Sequence, residues 1–579
     1  MNIATVPENL FANNAEVTSF NGLFTGCTEL ETVPADLFKN NQKVKDFKWL
    51  FYATDVKSLP VGLFKHCPAG FAIQINQMFQ NAIIEDFPEG FFEGLDGVTS
   101  LYSVFESAVF MKPLKGGIFK GMAKANTFNN AFYRTNVTEL PEDLFEGMGA
   151  SATSISLQSA FFGCEELASV PAGLFDPIET KVNNISNCFK NCTGLKSIPE
   201  GFGNSLTNLT NASNAFYGCE ALESLPSEMF KGAAAKLSNL SSMFSGCTSL
   251  KSVPDGLFGF ITARNANFAN TFNSCTSLTT VGADVFPSTV ASSGLNSTFS
   301  ECTSLTDISG KVFSKCGSVT TLMRTFYGCT ALETLPSGLF AGMTKLATFD
   351  QTFSGCTGLE SIPEDLFAKN TVANKFQKVF YGCTSLKAIP AGLFANNKSA
   401  RDFNNMFYKC TSLTSVPEGL FKACASAQTF SYLFVDCTGI KTIPADLFIN
   451  NKSACYFIQT FAGCSSLQEI PEGLFDSVPS ASTAATFKEC FIACTSLKTI
   501  PAALFDKALK ASKFDYAFAG CTGLTGESPY TMYNGNKIHL YERKKLYNLG
   551  GFNNRITGTK CFYNCTGLSD YEDITTDWK

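Results

Sequence analysis

The stretch FYGCTSLKAIPAGLFANN, residues 380–397, decides the fold because the chain repeats it with few changes. FYKCTSLTSVPEGLFKAC begins at residue 407, FAGCSSLQEIPEGLFDSV at residue 461 and FIACTSLKTIPAALFDKA at residue 491. Self-similarity at a fixed period of about 20–50 residues is the signature of repeat architectures. The sequence therefore predicts stacked repeat units rather than several independent globular domains.

The proline of the recurring Ile-Pro pair measures the period of the repeat. Every step is 27 residues from Ser309, which replaces the proline in one weaker unit, to Pro471, and the other steps run from 26 to 30 residues. The chain holds about twenty such units. Insertions and deletions this rare indicate that each unit is stacked on the one before it.

Each unit is predicted to contain one short strand and two short helices. Two Phe residues four apart, such as Phe403 and Phe407, would lie on one face of a helical turn. Residues 386–389 combine Leu and Ile with β-favouring positions and are predicted to form the strand. Pro390 is suited to the first position of a second helix, and the Asn396–Asn397 pair is a suitable helix stop. The sequence therefore predicts an α/β solenoid of about twenty coils with one parallel strand per coil.

The regular period breaks after Cys521. PYTMYNGNKIHLYER, residues 529–543, is predicted to form a β-hairpin around Asn534-Gly535, and one last repeat-like coil follows at residues 561–574. We therefore divide the chain into a solenoid at residues 1–528 and a C-terminal hairpin cap at residues 529–579. A polar, Tyr-rich hairpin would cover the open sheet edge of the last coil, although a dedicated binding module remains an alternative.

The spacing Phe-x-x-Cys-x-x-Leu-x-x-Ile, as in Phe407, Cys410, Leu413 and Val416, resembles the core of the BspA-like leucine-rich repeats. These repeats belong to surface proteins of Bacteroidales and of some mucosal parasites. They usually run to about 23 residues, and here the extra length lies in the GLFANN segment. The resemblance implies a leucine-rich-repeat-like solenoid, display at the cell surface or secretion, and adhesion to a protein or glycan partner.

Sixteen of the 23 cysteines occupy one column of the repeat, which we call the cysteine column. They are Cys27, Cys164, Cys192, Cys219, Cys247, Cys275, Cys302, Cys329, Cys356, Cys383, Cys410, Cys437, Cys464, Cys494, Cys521 and Cys565. A ladder of equivalent neighbours singles out no disulfide pairs, and the spacing does not match typical zinc sites. Four early units carry Thr54, Ala82, Ala108 or Thr135 in this column, so we expect small, buried, unpaired side chains. A metal or redox role remains the alternative.

Several classes of function lack support in the sequence. A net charge of −6 and an isoelectric point near 5.3 provide no basic face for nucleic acid. No run of about 18 apolar residues predicts a membrane span. His66 and His539 are too far apart in a solenoid to share a catalytic triad, and no common catalytic motif occurs. We therefore predict a protein that is not an enzyme and that has no cofactor and no metal.

The chain opens inside a repeat unit. MNIATVPENLF carries neither a basic region nor an apolar region typical of a secretory signal, while Val6 and Pro7 already fit the repeat. We expect Met1 to be the edge of a longer protein. Val6, Leu10 and Phe11 are therefore expected to be less covered than their counterparts Ile389, Leu393 and Phe394.

The residue after the strand Leu forms an exposed column of charged or amide side chains. Its members are Glu31, Lys196, Glu223, Lys251, Glu333, Glu360, Lys387, Lys441, Gln468 and Lys498. Ser or Thr usually follows, so a face rich in charges and hydroxyls would run along the strands, and we call it the strand face. It is the candidate binding surface of a monomeric scaffold for an extended protein or glycan. Two alternatives remain: a merely solubilising face, or a structural stalk or cargo segment of a larger surface or phage-tail protein.

Overall fold

The computed structural model describes residues 3–68, 70–478, 485–549 and 555–579, with the side chains of residues 545–549 excepted. The chain divides into two compact units. The first comprises Met1–Leu278 and Val285–Gly294, and the second comprises Thr279–Asp284 and Leu295–Lys579. Both units are built from coils with the same hydrogen-bonding pattern.

Regular secondary structure is short and widely spaced. The strands are β1 Asp55–Val56, β2 Ile83–Ile84, β3 Val109–Phe110, β4 Ile155–Ser156, β5 Val182–Asn184, β6 Ser252–Val253, β7 Thr280–Val281, β8 Asp307–Ile308, β9 Tyr530–Tyr533 and β10 Asn536–His539. All helices in the described residues are 3-10 helices, at Asp176–Ile178, Lys231–Ala233, Leu540–Leu549 and Tyr571–Asp573. The pairs β1–β2, β2–β3, β4–β5 and β7–β8 are parallel, and β9–β10 is antiparallel.

Parallel pairing continues between coils as single bridges. The strand face is joined at its Ser/Thr positions, as in Ser169 with Ser197 and Ser197 with Ser224. This confirms the predicted parallel strand at the Leu-x-Ser-Ile segment. A second ladder, which the sequence analysis missed, joins the residues just before the first Phe of each pair, as in Lys375 with Asp402 and Asp402 with Thr429.

The prediction of a helix at the paired Phe residues is corrected by the structure, which forms successive turns there. Asn405 and Lys409 both have φ of 58°, in the left-handed region, and a right-handed helix cannot pass through such residues. Alternate N–H groups therefore donate to the next coil, with N···O distances of 3.2 Å (Phe403 to Thr429), 3.0 Å (Asn405 to Ser431), 3.0 Å (Phe407 to Leu433) and 2.7 Å (Lys409 to Val435). The intervening N–H groups bond to carbonyl oxygens three residues earlier, as from Met406 to Phe403 at 3.2 Å.

The second predicted helix is likewise replaced by turns. In residues 390–397 the N–H groups of Leu393, Ala395 and Asn397 each bond to the carbonyl oxygen three residues earlier, at 3.2, 3.0 and 3.0 Å. No continuous helical ladder develops from these separate turns. The predicted stop at Asn397 is instead a buried side chain that contacts the preceding coil.

The core consists of stacked Phe columns. Phe403 and Phe407 are fully buried, as predicted for the paired Phe residues, and so is Phe394. Phe407 stacks on Phe380 of the preceding coil with ring centroids 5.7 Å apart, and Phe394 meets Phe403 edge-on at 5.1 Å. Offset stacks and edge-to-face contacts are the arrangements that aromatic rings prefer, so every coil adds favourable ring contacts to the next.

The two ends of the chain differ from the regular coils between them. Leu10 is 48% exposed whereas its counterpart Leu393 is 1% exposed, and Phe11 is half-buried whereas Phe394 is fully buried, as expected. Val6 is buried like its counterpart Ile389, so the prediction was wrong at that residue. The predicted hairpin is present in β9 and β10, and its turn residues Asn534 and Gly535 have φ of 50° and 79°. The N–H of Tyr530 donates to the carbonyl of Ala502 at 3.0 Å, which attaches the hairpin to the last regular coil. The boundary at residue 528 stays a prediction.

Candidate functional site

All ten predicted residues of the strand face are exposed. Backbone hydrogen bonds hold them in register from coil to coil: the N–H of Glu223 donates to the carbonyl of Lys196 at 3.2 Å, and the N–H of Lys251 donates to that of Glu223 at 3.1 Å. Similar bonds join Glu333, Glu360 and Lys387 in one run and Lys441, Gln468 and Lys498 in another. The structure thus brings nine of the ten residues together in three groups of consecutive coils.

Ion pairs neutralise part of this face. Lys251 Nζ lies 2.6 Å from Glu223 Oε2, and Lys387 Nζ lies 2.6 Å from Glu360 Oε2. The tenth residue, Glu31, pairs with Lys57 at 3.0 Å. The hydrogen bond from Lys251 lowers the pKa of the Glu223 carboxyl, and the hydrogen bond to Glu31 raises the pKa of Lys57. Three ion pairs between neighbouring coils therefore neutralise five of the ten strand-face residues.

Two further features of the strand face are a cavity and a set of lysines outside the ion pairs. A cavity of about 310 Å³ lies beside the Glu360–Lys387 pair, and its lining includes Ile362, Ile389 and Pro390. Lys196, Lys441 and Lys498 make no ion pair with any residue that the structure describes. The run from residue 441 to residue 498 also carries the exposed Glu469, so its net charge equals that of the run from Lys196 to Lys251.

The cysteine column has a geometry that spacing alone does not reveal. The column cysteines are buried as thiols rather than disulfides, and most donate a hydrogen bond to the carbonyl oxygen of a Phe in the preceding coil. Cys410 Sγ lies 3.2 Å from Phe380 O, and Cys437 Sγ lies 3.0 Å from Phe407 O. Burial raises the pKa of Cys275 to about 12, which disfavours the reactive thiolate. The column therefore joins coils together, as well as filling space.

A metal role for these thiols has no support in the geometry. Over the described ranges of the chain, no three His, Cys, Asp or Glu side chains come together in a way that could hold a metal ion. Buried thiols that donate to backbone carbonyls are inert and are already engaged in hydrogen bonds.

A second buried polar column consists of the second Asn of the Asn-Asn pairs. The side-chain amide of Asn397 donates to the carbonyl oxygens of Phe367 at 3.3 Å and Asn370 at 3.0 Å. Asn451 makes the same two contacts, with Phe421 at 3.0 Å and Cys424 at 2.8 Å. The recurrence of Asn-Asn in the sequence was the signal for this role, but it also fits a helix stop.

Sequence reasoning missed a cluster of Ser528, His539 and Asp570. The Ser528 hydroxyl donates to Asp570 Oδ2 at 2.5 Å and lies 3.0 Å from His539 Nδ1. That same nitrogen lies 3.4 Å from Asp570 Oδ2, while Nε2 faces Glu527 Oε1 at 3.5 Å. A catalytic serine must reach a substrate, whereas Ser528 is fully buried and its hydroxyl donates to Asp570. The cluster therefore ties the hairpin to the last coil and has no exposed nucleophile.

No helix among the described residues has the length and apolar character needed to cross a membrane.

Comparisons with known proteins match parts of the chain. Residues 177–254 match the family described as "BspA type Leucine rich repeat region (6 copies)", and residues 293–420 match a family described as "Mycoplasma protein of unknown function". None of the curated proteins compared matches significantly.

Solved structures of bacterial leucine-rich repeat proteins are among those similar to the chain. One from Bacteroides ovatus is 20% identical, with 69% of this chain and 85% of that chain covered and a TM-score of 0.43. A leucine rich cell surface protein from Faecalibacterium prausnitzii is 17% identical, with 76% and 86% covered and a TM-score of 0.26. One from Eubacterium ventriosum is 16% identical, with 68% and 84% covered and a TM-score of 0.27. The predicted resemblance is confirmed, because the family model of the BspA-type leucine-rich repeats matches residues 177–254.

Proposed function

We propose that the protein is a non-enzymatic binding scaffold, displayed at a cell surface or secreted, that presents its strand face to an extended protein or glycan. The observation that carries this proposal is the register of the exposed column, in which one polar side chain per coil is fixed by backbone hydrogen bonds to its neighbours. A rigid, periodic surface of this kind suits a partner that spans several coils.

Binding through this face requires several coils at once. A single exposed charge contributes only about 0–1 kcal/mol, so useful affinity needs the sum of several contacts. The lysines best placed to meet a partner are Lys196, Lys441 and Lys498, because no ion pair with a described residue neutralises them. An acidic or hydroxyl-rich partner fits these lysines best.

The proposal is tested by charge reversal on the strand face. Lys387→Ala alone should change adhesion to immobilised fibronectin, laminin or mucin very little. Reversal of Lys196, Lys251, Lys387 and Lys441 to Glu should reduce adhesion strongly, since the change removes the cations and places like charges opposite Glu223 and Glu360. Surface plasmon resonance measures how much of the protein binds to the immobilised partner.

The matched control exchanges one ion pair, as Glu360→Lys together with Lys387→Glu, and retains the pair and the net charge. Adhesion should be close to that of the parent protein. If the fourfold reversal leaves adhesion unchanged, or if Lys387→Ala alone abolishes it, the strand face is not the binding surface.

The second candidate is a structural stalk or a cargo segment of a larger surface or phage-tail protein. The cross-coil pairs Glu223–Lys251 and Glu360–Lys387 favour it, because charges already satisfied within the face are not available to a partner. Under this alternative the fourfold reversal would lower stability and leave adhesion unchanged.

The architecture proposed with this function is a monomer of about twenty coils, with the hairpin packed on the last regular coil at residues 502–505. Support comes from the buried Arg543, which donates to the carbonyl of Phe505 at 3.4 Å, and from Tyr530, bonded to Ala502. Light scattering coupled to size exclusion tests the monomer. Nucleic acid is not proposed as a partner, because the chain carries a net negative charge.

A further inference from the structure

The first compact unit contains a shallow cavity of about 400 Å³ on the paired-Phe turns, away from the strand-face residues. Three successive coils contribute to it. Its lining consists of Asn21, Gly22, Thr25, Trp49, Tyr52, Gln77 and Gln80. Its volume lies within the range of about 300–1,000 Å³ that is usual for small-molecule sites.

Trp49 and Tyr52 supply the aromatic surface of the cavity. Trp49 is 38% exposed, whereas the other tryptophan of the chain, Trp578, is 5% exposed. Trp49 has φ of 55°, a left-handed conformation in which a bulky residue is uncommon. The phenol oxygen of Tyr52 accepts a hydrogen bond from the Asn81 amide at 3.2 Å, which fixes the position of the second ring.

The polar part of the lining consists of side-chain amides and one hydroxyl. The Gln77 amide nitrogen donates to the Gln80 carbonyl oxygen at 3.0 Å, which leaves the Gln77 oxygen as an acceptor and the Gln80 nitrogen as a donor. The Asn21 amide donates to Asp46 at 3.3 Å, and the Thr25 hydroxyl donates to the backbone carbonyl of Trp49 at 3.2 Å. The lining therefore offers fixed donors and acceptors beside the aromatic rings.

None of the seven lining residues, all of which are described, carries a charge. A phosphate or carboxylate ligand would need a cation or a convergent set of N–H donors, which this lining does not offer. A purely apolar ligand would leave the amides without partners. The matching ligand has a flat apolar face for the rings and hydroxyl groups for the amides, and a pyranose ring combines both.

We propose that the cavity at Trp49 binds a neutral pyranose unit of a glycan. The inference goes beyond the proposed function and does not rest on it, because the cavity and the strand face share no residue. It adds a discrete sugar site to a protein whose strand face is proposed to bind through many weak contacts.

The test uses the intrinsic fluorescence of Trp49 and saturation-transfer NMR. The probes are methyl β-D-glucopyranoside, methyl β-D-galactopyranoside and methyl N-acetyl-β-D-glucosaminide at up to about 50 mM, since a single ring in a shallow cavity corresponds to millimolar Kd values. At least one glycoside should give a saturable fluorescence change and NMR contacts from its C–H face. No response to any of the three would overturn the proposal, and so would tighter binding of methyl β-D-glucuronide than of every neutral probe.

Trp49→Asn should weaken NMR-detected binding at least tenfold, and Gln80→Ala should weaken it less. Asn tolerates the left-handed backbone at this position, so the fold is retained, which circular dichroism checks. The matched control is Tyr432→Asn, at the same left-handed position of a coil in the second unit, with φ of 61°. Unchanged binding by the Trp49 variant, or an equal loss in the Tyr432 variant, would show that the cavity is not the site. The fourfold strand-face reversal should leave the sugar response intact, so the two proposals fail independently.

Discussion

Residues 47–148 and residues 376–467 have the same backbone pattern but differ in what fills two buried columns. The first, which we call the thiol-poor stretch, holds Thr or Ala in the cysteine column and contains one cysteine, Cys67. The second, the thiol-rich stretch, holds six cysteines. Both stretches keep paired left-handed residues, as at Trp49 and Ala53 in one and Asn405 and Lys409 in the other.

The comparison separates the contacts that both stretches share from the thiol hydrogen bond that only the thiol-rich stretch has. In the thiol-rich stretch Cys410 bonds to a Phe carbonyl of the preceding coil, whereas Thr54 bonds to Phe51 of its own coil at 2.7 Å. Ala108 has no side-chain donor at all and is equally buried. The Phe columns and the left-handed turns therefore define the coil, and the thiol adds a bond between coils.

The largest expected difference between the stretches appears at alkaline pH. Burial raises the pKa of Cys424 to about 12 and raises those of Cys383, Cys410 and Cys464 well above the ordinary value. These folded pKa values exceed the unfolded value of about 8.5. The folded state therefore keeps its full stability below about pH 8.5 and loses stability as pH rises towards the folded pKa, because only the unfolded thiols ionise in that range. At about pH 10 each fully buried thiol should cost about 2 kcal/mol of unfolding free energy. Limited proteolysis with subtilisin between pH 7 and 10, read by mass spectrometry, should cut the thiol-rich stretch first.

A variant with Cys383, Cys410 and Cys437 replaced by Ala supplies the control for this prediction. Its thiol-rich stretch should lose less stability between pH 8 and 10 than that of the parent protein. If cleavage began in both stretches at the same pH, the thiols would not dominate the alkaline response.

The second prediction concerns the buried asparagine column, which holds Asn397 in the thiol-rich stretch and apolar residues such as Leu95 in the other. Asn397→Ala should lower the local stability by about 2 kcal/mol, because two hydrogen bonds to the preceding coil are lost at about 1 kcal/mol each. Asn397→Leu should cost less, since leucine restores the packing found at Leu95. Hydrogen exchange of peptides across residues 367–400 measures both.

The exposed neighbour Asn396 provides the matched control, and Asn396→Ala should change stability by less than about 0.5 kcal/mol. Equal effects at residues 396 and 397 would contradict the assignment of the bonds to Asn397.

The smallest expected effect is that of a single thiol at neutral pH. Cys410→Ala should cost about 1 kcal/mol, the value of one modest hydrogen bond and its packing. The reciprocal change Ala108→Cys should alter stability by less than about 0.5 kcal/mol, because the site is buried but the coil is already complete. Urea titration at pH 7 compares the two, and a larger loss for Ala108→Cys than for Cys410→Ala would reverse the comparison.

The sequence predicted the repeat, its parallel strand and the burial of the paired Phe residues, because spacing records all three directly. It did not predict the replacement of helices by turns. Two residues four apart on one face fit a helix and also fit turns with left-handed residues at Asn405 and Lys409, and side-chain spacing cannot separate the two. The Ser528–His539–Asp570 cluster was missed because residues from three separate segments converge there. The cavity at Trp49 was missed because its residues are unremarkable within their own coils. The role of the ten strand-face residues stays a prediction.

The alternate N–H groups of the paired-Phe turns have a consequence for how such a gene can change. Each coil offers its neighbours the same donors on one side and the same acceptors on the other, at positions fixed by the 27-residue step. A recombination event that deletes or duplicates one whole step between Ser309 and Pro471 would leave every donor facing an acceptor. Insertions of a few residues between the ladder segments are also tolerated, since Tyr456 and Thr486 pair although they are 30 residues apart. Large variation in the length of this protein should therefore occur in whole coils, and the protein can be lengthened without redesign of the core.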